Sequence, residues 1–476
     1  MSAYDSDFIT SAEAYAARHR GALVFQLLGW LMRCHGDELD WTIKKIYVSS
    51  IPEETYAIPE SLWKTTLGLA AFPFHLLWRK QWLWSPGPLV DHNFEVVDAD
   101  YFNRFFRRAY AELKGTKRVT PRALPFPAEY DITAPALASV WIVDVARFML
   151  VLPVLLPALL LFWLRTGLEI LKAYRNAVSI YMAFNAYFRR YPCRNFVTFD
   201  DESNPPSRQI AFRQNGSGRM TVIQNGERIR HPHLAYGLMD SYQVFGSAYE
   251  RILGEIKVKA GRFQPVGAPC LNERFELVQQ ARAQNKGVLY DVLFIDQGIH
   301  PYNGLDQRSD RGLWKILELL ARFKKENPEF RAAYQLRYYS PAAAAAKSAV
   351  LGALKALFGE GLLLLENEGR GESYINSLRS ELVITFESTL GFEAMMLGRK
   401  AFFVNFSGDP AETLCADPRF QLEDASADYA RFAARLKELL ALELTEIPEV
   451  ARERHLAFDG RVQERIAASL NEEASR

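Results

Sequence analysis

The chain is poor in cysteine. Cys34, Cys193, Cys270 and Cys415 are the four in 476 residues, far apart and without a CxxC pair. That spacing excludes a disulfide framework, a zinc knuckle and a thioredoxin-like motif. Reduced thiols in a cytoplasmic setting are expected. Net charge is missing too. Lys plus Arg number 57 and Asp plus Glu 56, a formal net charge of +1. A strongly basic nucleic-acid binder is excluded on that ground. The first ten residues carry Asp5 and Asp7 and no basic stretch, so no secretory signal is expected there. Internal repeats and long low-complexity segments are absent. With 49% hydrophobic and 24% charged residues, disorder is excluded as well.

What is present is unevenly spread. Residues 101–200 hold 14 Lys/Arg against 6 Asp/Glu, and residues 401–450 hold 4 against 10. The basic stretch surrounds the most apolar run, Phe148–Leu164, seventeen charge-free residues between Arg147 and Arg165. Ala22–Met32 and Leu67–Trp78 are shorter apolar runs, the second followed by Arg79, Lys80, Trp82 and Trp84. A bilayer span needs about 20 apolar residues. The longest run falls short of that, and Pro153 and Pro157 should interrupt its backbone hydrogen bonding. Tryptophan beside Arg and Lys suits the headgroup level. The expectation is a chain lying peripherally, as a monotopic protein, on the cytoplasmic leaflet of the cell membrane. Buried core helices, or a true span through Phe148–Leu164, are the alternatives. The acidic C-terminal tail is expected to be solvated.

Four regions are expected. Residues 1–190 read as a helical, apolar, membrane-associating region merging into an N-terminal domain, with 117–135 as proline-rich loop and Tyr101–Leu113 as a helix. After Pro192, short apolar runs alternate with turn signals and helical stretches, which argues for parallel sheets covered by helices. Residues 191–265 would form the N-terminal Rossmann-like core, with Tyr249–Ala260 as one of its helices. Residues 266–426 would form a second such domain, and 427–476 C-terminal helices.

In open parallel sheets, ligands bind beyond the carboxyl ends of the strands. The most informative strand end is Leu382–Thr385, which leads through Ser388-Thr389 into a helical stretch. Hydroxyls beside free N–H groups suit an anion. Gly391 allows close backbone approach. Glu393, about one turn after Thr389, can take both hydroxyls of a ribose while the helix start holds phosphate. An ordinary N-cap followed by a helix-start acid fits the same residues.

The segment S-T-L-G-F-E-A-M-M-L-G-R-K at 388–400 resembles the nucleotide-sugar site of GT-B glycosyltransferases. It is most similar to bacterial surface-carbohydrate and capsule-polysaccharide transferases, with CDP-glycerol glycerophosphotransferases more distant. Asn195–Asp201, T-V-I-Q-N-G at 221–226, D-S-Y-Q-V-F-G at 240–246 and Val266–Pro269 match in order. The resemblance covers about 195–410. It implies an α/β GT-B-like fold: two Rossmann-like doubly wound domains facing a cleft, with an apolar helical N-terminal region.

It also implies roles. Ser388, Thr389, Gly391 and Glu393 would bind the donor's phosphate and ribose. Arg337 would face the leaving phosphate, and Gln297 or His300 would touch phosphate from the loop after the second domain's first strand. A surface arginine and ordinary loop polar residues remain open for these. Asp200, Asp201 or Glu202 would be the catalytic base, unless they form a solvated acidic loop. Gln224, Asn225 and Gly226 would line the cleft. No metal and no cofactor are expected, the nucleotide-sugar being a substrate. The partners implied are that donor, a lipid-linked or glycan acceptor and the membrane leaflet.

The chain departs from related sialyltransferases, since L-R-Y-Y-S-P stands at 336–341 without a His-Pro motif, and His231-Pro232 falls in the first domain. Asp98-Ala99-Asp100 lies outside the matching region. The activity expected is transfer of a sugar to a surface-carbohydrate acceptor. The alternatives are a nucleotide-sugar epimerase or hydrolase of the same architecture, or a non-catalytic glycan-assembly protein.

Overall fold

The computed structural model describes residues 8–50, 81–83, 92–97, 107–120, 139–168, 170–199, 201, 205–216, 218–230, 232–284, 287–297, 308–337, 344–368, 371–386, 388–408, 415, 417–423 and 428–475. Three helices open it: α1 (Phe8–His19), α2 (Leu23–Met32) and α3 (Asp37–Ser50). Asp37, Glu38 and Asp40 occupy the first turn of α3, where the helix dipole favours acids. β1 (Gln81–Leu83), β2 (His92–Val97), α4 (Arg107–Glu112), β3 (Lys117–Thr120) and β4 (Ser139–Trp141) follow. The stretch from 117 is thus not all loop: β3 occupies it up to Pro121.

Next come α5 (Ile142–Thr166), α6 (Leu171–Arg190), β5 (Cys193–Thr198), α7 (Pro206–Asn215), β6 (Met220–Ile223), β7 (Leu238–Val244), α8 (Ala248–Glu255) and β8 (Lys259–Pro265). α8 is shorter than expected because Lys257 turns left-handed at φ 59 and releases the chain into β8. α5 runs unbroken for 25 residues through both Pro153 and Pro157. Each proline removes one ladder donor. The remaining bonds and one packed stripe, Phe148, Val151, Leu155, Leu159 and Phe162, hold the helix together. Phe162 sits edge-on to Tyr15 and Phe25 at 6.3 and 5.6 Å. The helix is therefore long and apolar enough to cross a membrane by length and composition, whereas the charge-free run alone falls just short. Its other face is bare, with Leu150 72% and Leu164 65% exposed.

The second half contains α9 (Pro269–Glu273), α10 (Phe275–Ala283), β9 (Tyr290–Ile295), α11 (Arg308–Glu326), β10 (Ala332–Gln335), α12 (Ala344–Phe358) and β11 (Leu362–Leu365). α13 (Glu372–Leu378), β12 (Ser380–Thr385), α14 (Leu390–Met396), β13 (Lys400–Asn405) and β14 (Gln421–Glu423) complete it. α15 (Tyr429–Ala441), α16 (Glu449–Arg454) and α17 (Val462–Ser475) end the chain.

Twelve of the described strands form two six-stranded sheets, β1 and β4 pair with each other, and every pairing is parallel. The first has the order β3-β2-β5-β6-β7-β8 and the second β11-β10-β9-β12-β13-β14. Renumbered within its domain, the second is 3-2-1-4-5-6, the doubly wound nucleotide-binding order. Two Rossmann-like domains are the architecture that the GT-B resemblance implies. The first sheet also takes β2 and β3 from residues ahead of 190.

The C-terminal tail is not a solvated appendage. Val462, Ile466, Ala467 and Leu470 of α17 are buried in one cluster with Val197, Phe199, Ile223 and Val266 of the first domain. Glu473 accepts hydrogen bonds from Thr221 Oγ1 at 2.8 Å and Ser241 Oγ at 2.5 Å.

Candidate active site

A doubly wound sheet opens a crevice where the strand order reverses, since helices leave to opposite faces there. In the second sheet that point lies between β9 and β12. A cavity of about 280 Å³ sits at the strand ends on both sides of it. The end of β9 and the residue after it supply Ile295 and Asp296, the end of β10 and the turn after it Gln335 to Arg337, the β12–α14 connection Ser388 and Thr389, and the first turn of α14 Leu390 and Glu393. Asn225 and Cys270 close it from outside the second sheet.

The connection after β12 is held by its own side chains. Thr385 Oγ1 accepts the Ser388 N–H at 3.0 Å, and Ser388 Oγ accepts the Leu390 N–H at 3.2 Å. Gln297 Oε1 accepts from the Phe386 N–H at 2.8 Å and from Thr385 Oγ1 at 3.2 Å. Gln297, read as a phosphate contact, thus fastens the loop. Thr389 Oγ1 accepts the Glu227 N–H at 3.0 Å, a direct tie between the domains. At Gly391 the close approach is to protein. An added Cβ would lie 2.6 Å from Phe403 Cε1 and 2.7 Å from Thr385 Cγ2.

Glu393 is the residue out of balance. It is 3% exposed and lines the cavity. The Tyr374 hydroxyl lies near the carboxyl and favours its ionised form. Oε1 has no hydrogen-bond partner. Burial pushes its carboxyl up to about 8; the Tyr374 hydroxyl offsets this in part, and the nearby Glu227 charge adds to it. A buried acceptor without a donor costs about 1–3 kcal/mol. A ligand bringing O–H groups relieves that cost.

Glu227 sits at the domain boundary. Arg454, from α16, pairs with its Oε1 at 2.5 Å, and the Tyr249 hydroxyl donates to the same oxygen at 2.7 Å. Burial raises the Glu227 carboxyl, and the Arg454 charge opposes the rise. The Arg454 guanidinium also lies over Phe392 at 5.1 Å and Tyr249 at 5.6 Å. The last helices therefore brace the loops of both domains.

The other expected site residues separate. Arg337 lines the cavity, exposed, and its N–H donates to Asp296 Oδ2 at 3.1 Å. Asn225 lines it too, donating from Nδ2 to Phe199 O at 2.7 Å. Gln224 is buried and turned into the backbone. Its Nε2 donates to Gly226 O at 2.8 Å, and its Oε1 accepts from Phe245 N at 2.9 Å. Gly226 packs beside Arg228. Asp201 is buried, accepting from Arg228 Nε at 2.8 Å and from the Tyr242 hydroxyl at 2.9 Å. It does not line the cavity. Asp200, Glu202 and His300 lie outside the described residues, as do His231 and Asp98–Asp100. Among the described residues no group of three His, Cys, Asp or Glu is placed to hold a metal.

Three participants were not read from the sequence: Tyr374, Glu227 and Arg454. They carry no local pattern.

No known protein family matches the sequence, and no curated protein matches it. Among solved structures, the Methanocaldococcus jannaschii UDP-GlcNAc 2-epimerase in complex with UDP-GlcNAc and UDP is 11% identical. It covers 80% of this chain and 100% of its own, with a TM-score of 0.46. The S. aureus MnaA–UDP structure is 10% identical, covering 79% and 94%, with a TM-score of 0.47. The wall teichoic acid polymerase TagF, with CDPG, is 10% identical, covering 87% and 94%, at 0.40. The fold is carried by the strand order, independently of these overlaps.

Proposed function

We propose that this cleft binds a nucleotide-activated sugar and that the chain is a glycosyltransferase. Its acceptor would be a lipid-linked or polysaccharide hydroxyl in bacterial surface-carbohydrate synthesis. One observation carries the reading: the buried, half-satisfied Glu393 carboxyl facing a cavity at the switch point of a nucleotide-binding sheet. A ribose hydroxyl supplies the O–H donor that Oε1 lacks. Ser388 lies beside it for the phosphates, and Arg337 brings positive charge to the rim.

In the transfer, the acceptor oxygen attacks the anomeric carbon and the bond from that carbon to the phosphate oxygen breaks. The nucleotide leaves with the electron pair. The acceptor proton passes to a carboxylate base. Asp201 is committed to Arg228 and Tyr242, which leaves Asp200 and Glu202 as the bases to test.

We place the protein on the inner face of the cell membrane. The exposed stripe on α5 and the exposed Trp30 on α2 support this, with Arg147 lying 5.2 Å over the Trp30 ring. The same bare face favours transfer to a membrane-held acceptor over a soluble epimerase.

A thermal-shift screen against UDP-, GDP-, CMP- and dTDP-sugars tests the donor site. One class should raise the melting temperature of the wild type and not of Glu393→Ala, since binding at a hundredfold excess over Kd adds about 2.7 kcal/mol. If no class does so, or Glu393→Ala responds equally, the assignment fails.

A further inference from the structure

A separate cavity of about 370 Å³ lies among α3, α6 and the start of α7. It shares no lining residue with the cleft. Its size falls within the about 300–1,000 Å³ of small-ligand sites. Ile46, Ala173, Ala177 and Ile180 give it an apolar wall. Two lysines line it, and no aspartate or glutamate does. Lys172 is exposed, and Lys45 is 9% exposed with Nζ donating to the Ala235 carbonyl at 2.9 Å.

The deciding residue is Ser207. It lines the cavity, is 1% exposed, and its hydroxyl has no hydrogen-bond partner. It is also the second residue of the ten-residue α7, directly after Pro206. The helix dipole there favours negative charge. A buried hydroxyl left unsatisfied at a positive helix end, in a pocket with an apolar wall, two lysines, the neutral polar Thr42, Ser49 and Asn176, and no carboxylate, fits an anionic head on an alkyl chain. The position agrees. Lys172 is the second residue of α6, six residues past the end of α5, and Arg165 and Arg175 flank the same junction in the chain.

We propose that this cavity is a binding site for the alkyl-phosphate end of a lipid. The chain lies on Ile46, Ala177 and Ile180, and the phosphate accepts from Ser207 and faces the two lysines. The site stands without the nucleotide-sugar reading, because it uses none of the cleft residues.

Calorimetry with three probes tests it: dodecyl phosphate below its micelle concentration, inorganic phosphate for the head alone, and dodecyl maltoside for the chain alone. Dodecyl phosphate should bind at one saturable site at least about tenfold tighter than either control. Ser207→Ala should weaken it by about tenfold, the loss typical of a hydrogen bond to a charged group. Ala177→Leu should fill the cavity and weaken it further. Thermal melts check that both variants fold, and Ser207→Ala alone decides the matter if Ala177→Leu does not. Nucleotide-sugar stabilisation should be unchanged in Ser207→Ala, which separates this site from the cleft. Equal binding of dodecyl maltoside or of inorganic phosphate, or unaltered dodecyl phosphate binding in Ser207→Ala, overturns the proposal.

Discussion

The Glu393 carboxyl makes a quantitative prediction. Between its ordinary value of 4.5 and about 8 lies a difference of about 5 kcal/mol against the ionised form. The folded protein therefore keeps a proton that the unfolded chain releases. The resulting stability is fully present below pH 4.5. It declines by about 1.4 kcal/mol per pH unit as pH rises and is lost above about 8. Glu393→Gln cannot ionise and lacks that slope. Urea unfolding of both proteins at pH 6, 7 and 8 isolates it, because other titrating groups are common to the two. The difference in stability should shift towards the variant by about 1.4 kcal/mol with each pH unit. Ligand binding has the opposite sign. Ribose hydroxyls donating to the carboxylate favour its ionised form, so nucleotide affinity should rise with pH by up to tenfold per unit until about 8. Calorimetry in buffers of different ionisation enthalpy should show a proton released on binding. Parallel stability curves for wild type and Glu393→Gln, or binding without proton release, would refute the reasoning.

Two further outcomes follow from packing and charge. Arg454→Met leaves Glu227 buried without its cation and should cost about 3–5 kcal/mol in urea unfolding, much of it recovered by adding Glu227→Gln; a loss below about 1 kcal/mol would show that the pair is not a brace. Replacing Leu150, Val154 and Leu161 together by serine removes three exposed apolar side chains of α5. Binding to anionic vesicles should fall at least about tenfold, with little change in melting temperature, and unchanged co-sedimentation would remove α5 from membrane attachment.

The alternation after Pro192 was readable because fully buried parallel strands, such as β13 with all six residues buried, appear as short continuous apolar runs. β2 was not, since His92, Asn93 and Glu95 interrupt its apolar residues. The β12–α14 connection was legible from Ser388, Thr389 and Glu393, which lie within six residues. What closes around them was hidden by distance in the chain: Arg454 meets Glu227 across 227 positions, and Glu473 meets Thr221 across 252. α5 misled because two prolines in a row of leucines look like a break. Packing along one stripe outweighs the two lost donors.

The return of α17 to the first sheet orders events during synthesis. On the ribosome, the second sheet is complete once β14 has emerged at Glu423, whereas the face of the first sheet carrying Val197, Phe199 and Ile223 has Ala109 of α4 and the following Leu113 over it and still lacks α17. That part of the cover comes only with Val462–Ser475. The domain begun first is therefore completed on this face only after the strands of the second sheet have all been made.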